Sequence, residues 1–277
     1  MDWNILIYLL YGLVAGLSEI LPVSSGAHGQ IIELLTRFDC RQPALLLCVH
    51  ASCFLVLILQ LRGRIGHIYR ELRINALPPR KRKRQPDYIA VLDAKVLLAI
   101  SIPVVLGVVF SLQAYQQFAV LPLMSITLVL GGIMLYIPQF LPGANKDSRS
   151  LSRKDALILG ASAALGVIPG LSRMGTMISV GLMKGCDRRY VLDMAMLASL
   201  PFLLGMMIVD LILMVMVGTV ISGMMIIYLL LAFLASFGGA WLAIVIMHFL
   251  SVKSNFFGFA YYNWGLALFA FLVYLMI

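Results

Sequence analysis

Six long apolar runs, at 43–61, 89–112, 119–141, 190–217, 221–249 and 257–277, restrict what this 277-residue chain can fold into more than any other feature. A helix needs about 20 residues to cross a hydrocarbon layer about 30 Å thick. Within that layer each backbone amide must be paired inside the protein, which leaves helices or a closed barrel. Barrel strands alternate apolar and polar residues, and no such alternation occurs here. The composition agrees, with 62% hydrophobic and 12% charged residues, against roughly 45–50% and about 25% in soluble domains. The chain is therefore expected to be all-α and polytopic, with six long transmembrane helices in one integral membrane domain, 1–277.

Charge sets the expected topology. Residues 61–84, LRGRIGHIYRELRINALPPRKRKR, hold nine Lys and Arg against one Glu and supply most of the formal +9. Flanked by spans, this segment reads as a cytoplasmic loop that also attracts anionic headgroups, not as a nucleic-acid patch. The uncharged 112–120 then falls outside, and 143–156, with Lys146, Arg149, Arg153 and Lys154, falls inside again. The segment KGCDRR at 184–189 is basic too, so the chain between 156 and 184 must leave the cytoplasmic face and return to it. The break GVIPGLSRMG at 166–175 makes a re-entrant pair of half-helices the natural reading. The first segment is broken in the same way at Pro22, although Arg37 and Arg41 weigh against the outside placement that the parity gives to residues 38–42. Two halves, 1–141 and 142–277, are expected as inverted repeats, each a broken hairpin followed by three spans. In that architecture broken helices meet near the midplane and mark the binding site.

Asp2 stands where a signal peptide has a basic region, so the N-terminus is expected to stay attached. Four cysteines without a C-x-x-C pair point to neither a disulfide framework nor a zinc site.

The two breaks carry the polar residues. The first, SEILPVSSGAH, offers Glu19, Ser24, Ser25 and His28; the second offers Ser172 and Arg173, with Thr176 three residues on. An ionised side chain near the membrane centre costs at least about 2.5–3.5 kcal/mol, so Glu19 and Arg173 should face a polar cavity, each other or a ligand. Half-helix N-termini add N–H donors and a positive dipole end. Together these describe an anion site, and phosphate suits it best. The competing readings are serines bonded to their own i−4 carbonyls and a Glu–Arg clamp between repeats. Outside the breaks, His50 reads as a hydrogen-bonded helix residue, and Asp210 as a group that joins the site or pairs with a helix-end cation. Asp93 and Asp193 sit at span starts, where the helix dipole favours them.

At these residues the chain resembles the bacterial undecaprenyl-diphosphate phosphatase, or bacitracin-resistance, family. GLVAGLSEILPVSSGAH is similar to the family's Glu/Gln-x-x-x-Glu segment running into Pro-Val-Ser-Ser-x-Gly-His, and IPGLSRMGTMISVGLMKG to its Pro-Gly-x-Ser-Arg-Ser-Gly-x-Thr. The likeness covers essentially the full length. It implies the inverted-repeat fold and hydrolysis of a C55 isoprenoid diphosphate to the monophosphate at the outer face of the bacterial cytoplasmic membrane, with Mg²⁺ or Ca²⁺. That reaction recycles the carrier lipid for cell-wall synthesis and confers bacitracin resistance.

Carried over, the resemblance makes Glu19, Ser25, His28 and Arg173 catalytic and Ser24, Ser172, Arg173 and Thr176 substrate-binding, with Glu19 on the cation. Either Ser25 attacks with His28 as base, or His28 and Glu19 activate a water. A homodimer is the assembly allowed for. Ala15, Met174 and Met177 depart from the family pattern, and His50 stands where the family usually has Gln. The alternative is accordingly a protein that binds or translocates polyprenyl phosphate without cleaving it.

Overall fold

Local sequence signals start most of the helices. In the computed structural model, which describes residues 3–111, 117, 120–143, 145–253 and 256–276, ten α-helices follow one another. They are α1 (Trp3–Ile20), α2 (Ser25–Thr36), α3 (Pro43–Ala76), α4 (Tyr88–Val109) and α5 (Leu121–Tyr136), then α6 (Arg153–Ala164), α7 (Arg173–Met183), α8 (Arg188–Met216), α9 (Gly223–Lys253) and α10 (Gly258–Met276). Pro43 opens α3 at its first turn, where no amide is missed. Asp87 and Asp187 cap α4 and α8, and Ser152 with Asp155 forms a reciprocal capping box on α6.

The six expected spans are α3, α4, α5, α8, α9 and α10, and α1 adds a seventh helix long and apolar enough to cross a membrane. The protein is a multi-pass membrane protein. The first span runs further than its apolar stretch, because α3 continues to Ala76. Arg, Leu and Glu are good helix formers, so leaving the apolar run does not end the helix, and the basic loop begins in helical form. The expected outer loop at 112–120 lies largely outside the described residues.

Packing directions follow from named contacts. On α1, Gly12 and Gly16 lie directly against the backbone of Ala232 and Ser236 on α9, so the two helices run parallel with their backbones nearly touching. This small-residue seam is how apolar helices associate where lipid is as apolar as a leucine side chain. Likewise α6 runs parallel to α4, with Gly160 against Ile100 and Gly107 against Ala164. Each of these helices then doubles back. α2 returns along α1, with Gly29 against Tyr11, and α7 returns along α6, with Thr176 bonded to the Ser162 carbonyl.

Between the hairpins α3 and α8 run antiparallel, joined by His50 to Asp210 towards one end and by Arg64 to Asp193 at the other. Fourteen residues of α3 and seventeen of α8 separate the two contacts, roughly 20–25 Å. Arg64 also reaches Asp93 on α4 at 3.3 Å. The dipole explanation for Asp93 and Asp193 is thus incomplete, since both carboxylates are gathered around one guanidinium.

Candidate active site

The two breaks meet, and each supplies the cap of a half-helix. Ser24 is the N-cap of α2 and accepts from the amide of Ala27 at 3.3 Å; Ser172 is the N-cap of α7 and accepts from Gly175 at 3.1 Å. Each serine also reaches across. The Ser24 oxygen accepts from the Gly170 amide at 2.9 Å in the second break, and the Ser172 hydroxyl donates to the Leu21 carbonyl at 3.4 Å in the first. Neither bonds its own i−4 carbonyl in those contacts. Gly170 makes the second turn possible: its φ is +96°, and a Cβ there would run into Thr127.

This cross-tie sets Glu19, at the end of α1, beside Arg173, at the start of α7. Arg173 Nη2 donates to the Glu19 carbonyl at 3.1 Å and to Oε2 at 3.4 Å, and Phe202 lies under the guanidinium, 4.2 Å from its Cζ. The arginine is 6% exposed, and its Nε and Nη1 have no hydrogen-bond partner among the described residues. Buried guanidinium donors left open are costly, and they ask for an anion. The other Glu19 oxygen, Oε1, accepts from the Ser25 hydroxyl at 3.2 Å.

These groups line a cavity of about 330 Å³ with Ser24, Ser172, Ala15, His50 and Asp210, and with apolar walls that include Val49, Phe202 and Val209. Other lining residues are Arg41, Ser111 and Leu213, near the ends of α2, α4 and α8 that the charge parity assigns to the outside. A few convergent polar groups in an apolar cleft are the usual form of a small-molecule site.

Two expected members stand elsewhere. His28 Nδ1 contacts the Ser24 carbonyl at 2.6 Å, and Nε2 contacts the Tyr262 hydroxyl at 2.6 Å with the rings stacked. One turn along α2 from Ser24, its ring leans on α10 and lines a different, mostly apolar groove. His28, expected as a base beside Ser25, has both ring nitrogens engaged and does not line the cavity that holds Ser25. Thr176 is 1% exposed and its hydroxyl faces the carbonyls of Ser162, Ser172 and Arg173, the nearest at 2.7 Å, which spends its one donor on backbone. It braces the α6–α7 hairpin and does not line the cavity.

His50 and Asp210 stand at the cavity beside Glu19. His50 Nδ1 and Asp210 Oδ2 are 2.6 Å apart, and His50 Nε2 lies 3.9 Å from Glu19 Oε1. The sequence did carry a signal for them: two ionisable groups inside apolar runs are expensive unless they find each other. Nothing in the sequence said which partner each would find.

The donors present do not build a cation site. Among the described residues no three His, Cys, Asp or Glu side chains are grouped to hold a metal ion. Both oxygens of Glu19 are already engaged, by Ser25 and by Arg173, and Ala15 faces the cavity where a second carboxylate would have to stand.

Compared with known proteins, residues 8–269 match the family model described as bacitracin resistance protein BacA. An undecaprenyl-diphosphatase of Methanobrevibacter smithii is 30% identical over 276 residues, 95% of each chain. Undecaprenyl-diphosphatase 1 of Shouchella clausii is 27% identical over 95% of this chain and 94% of its own. A Nocardioides undecaprenyl-diphosphatase is 30% identical over 71% of both.

Proposed function

The chain belongs to the bacitracin resistance protein BacA family, and on that premise we infer that the cavity between its broken helices removes the terminal phosphate of undecaprenyl diphosphate, leaving the monophosphate. The observation that carries this to the site is Arg173, a buried cation with two open donors in a cavity. Phosphoryl transfer is catalysed mostly by positioning and by neutralising charge. Arg173 would hold the diphosphate through charge-assisted hydrogen bonds. The N-termini of α2 and α7, which begin at the cavity wall, add their positive ends. Glu19, fixed by Arg173 on one oxygen and Ser25 on the other, orients the attacking hydroxyl, whether of water or of Ser25.

The site is read as opening to the outer face of the cytoplasmic membrane. Arg41, Ser111 and Leu213 at the cavity are remote from Arg64 and the basic segments that the positive-inside bias keeps in the cytoplasm. Arg41, which weighed against an outside placement, is paired with Glu33 at 2.7 Å and lies 4.0 Å from Asp39, so the local charge is largely cancelled. The inverted-repeat reading of 1–141 and 142–277 is supported by matched packing: α1 on α9 mirrors α6 on α4, and α3 on α9 mirrors α8 on α4.

The test is phosphate release from undecaprenyl diphosphate by purified protein in detergent, beside Arg173→Ala. Turnover that disappears in the variant is the expected result. Tight binding of the lipid diphosphate with no cleavage by the native chain would replace the phosphatase reading with that of a lipid-phosphate carrier.

A further inference from the structure

We propose that His50, held by Asp210, is the group that takes the proton from the attacking water. The proposal rests on the phosphatase reading and assigns a residue and a proton path within it.

The geometry is directional. Asp210 is 1% exposed and its Oδ2 lies 2.6 Å from Nδ1 of His50, so the imidazole carries its proton on Nδ1 and donates it to the carboxylate. That leaves the Nε2 lone pair bare. Nε2 faces Glu19 Oε1 across 3.9 Å, too far for a hydrogen bond but a span that one water bridges. Glu19 cannot wander, because Ser25 holds Oε1 and Arg173 holds Oε2. The arrangement is a carboxylate, an imidazole and a place for a hydroxyl in sequence, the logic of a base oriented by a third group. His28 cannot serve in its place, since both its ring nitrogens are occupied by the Ser24 carbonyl and Tyr262.

The step balances. The water oxygen bonds to the terminal phosphorus while the bond from that phosphorus to the bridging oxygen breaks, and its electron pair leaves with undecaprenyl monophosphate. One water proton passes to His50 Nε2 and is returned to solvent through the cavity, and inorganic phosphate departs. His50 is thus a catalytic residue, and Asp210 a positioning residue that fixes the ring's tautomer and plane.

Steady-state phosphate release, with kcat and KM separated, tests the assignment. General-base loss is typically about 100-fold or more in rate. His50→Ala should lose about that much in kcat with KM little changed, and imidazole added to the buffer should restore part of it. His50→Gln, which keeps a hydrogen bond to Asp210 and so guards against a folding failure, should stay as slow without imidazole. Asp210→Asn should lower kcat about tenfold or more at similar KM, with partial recovery in Asp210→Glu. His28→Ala should lose less than tenfold.

A His50→Gln protein with native kcat, or a His28→Ala protein that is the slower of the two histidine variants, overturns the proposal while leaving the phosphatase standing. Loss that appears wholly in KM, or that imidazole leaves unmoved in His50→Ala, overturns it as well. No phosphate release from the native chain overturns the phosphatase reading itself, and the proposal with it.

Discussion

Ser24 and Ser25 are adjacent in sequence and should separate cleanly in experiment. The Ser24 side chain is buried, at 2% exposure, and its oxygen receives two amides, from Ala27 in its own helix and Gly170 in the other hairpin. Losing a serine N-cap costs about 1 kcal/mol. Leaving a second buried amide without an acceptor costs about 1–3 kcal/mol more. Ser24→Ala should therefore destabilise the fold by about 2–4 kcal/mol. Equilibrium unfolding in mixed micelles, titrated with a denaturing detergent and followed by circular dichroism, measures it.

Ser25→Ala removes one hydroxyl that donates to Glu19 and should cost less stability than Ser24→Ala while lowering kcat. Because Ser172 ties back to Leu21, the Ser24→Ala/Ser172→Ala pair should lose less than the sum of the single losses, by about 1 kcal/mol. A Ser24→Ala protein within about 0.5 kcal/mol of the native one, the scatter expected of a neutral surface change, would refute the capping argument.

Other consequences can be checked directly. A Cβ at Gly166 would stand 2.5 Å from the Arg173 Cα, so Gly166→Ala must displace the arginine; kcat/KM for the lipid diphosphate should fall about 100-fold, the scale of a small misplacement in a site. Since the donors do not build a cation site, calorimetric titration of Ca²⁺ or Mg²⁺ into the lipid-free protein should show no stoichiometric binding, and a saturable site would contradict the donor inventory. The Asp155 carboxyl, at the start of α6, is held below its ordinary range by the Ser152 hydroxyl and, after a smaller opposing effect of burial, by Lys184. A group depressed in the folded state adds stability above its unfolded pKa that is lost as pH falls through the folded value. Ser152→Ala should therefore weaken the protein at neutral pH, with the difference narrowing below about pH 4 to the cost of the lost N-cap bond to the Asp155 amide, as pH-dependent unfolding would show.

The limits of sequence reading are visible residue by residue. Pro22, Pro169 and Gly170 mark the breaks without a structure, because proline and glycine act on the backbone locally. Glu19 and Arg173 could be expected to face a polar cavity, each other or a ligand because a membrane leaves charged groups few alternatives. His28 was expected to be catalytic because the family resemblance carries it, yet one helical turn takes its ring towards Tyr262 on α10. His50 and Asp210 are 160 residues apart, and no local pattern links them.

The apolar run lengths, the basic segments and the helix-breaking residues determined by themselves that this is a polytopic helical membrane protein with two interrupted hairpins, since hydrophobic transfer and backbone pairing depend on short stretches of chain. Tertiary structure alone decided that Ser24 and Ser172 lace the breaks together, that Thr176 braces a hairpin, and that His50 rather than His28 faces Glu19. Those outcomes depend on the rotation and depth at which separate helices pack. Close contacts such as Gly16 against Ser236 set that depth, and only the assembled bundle contains them.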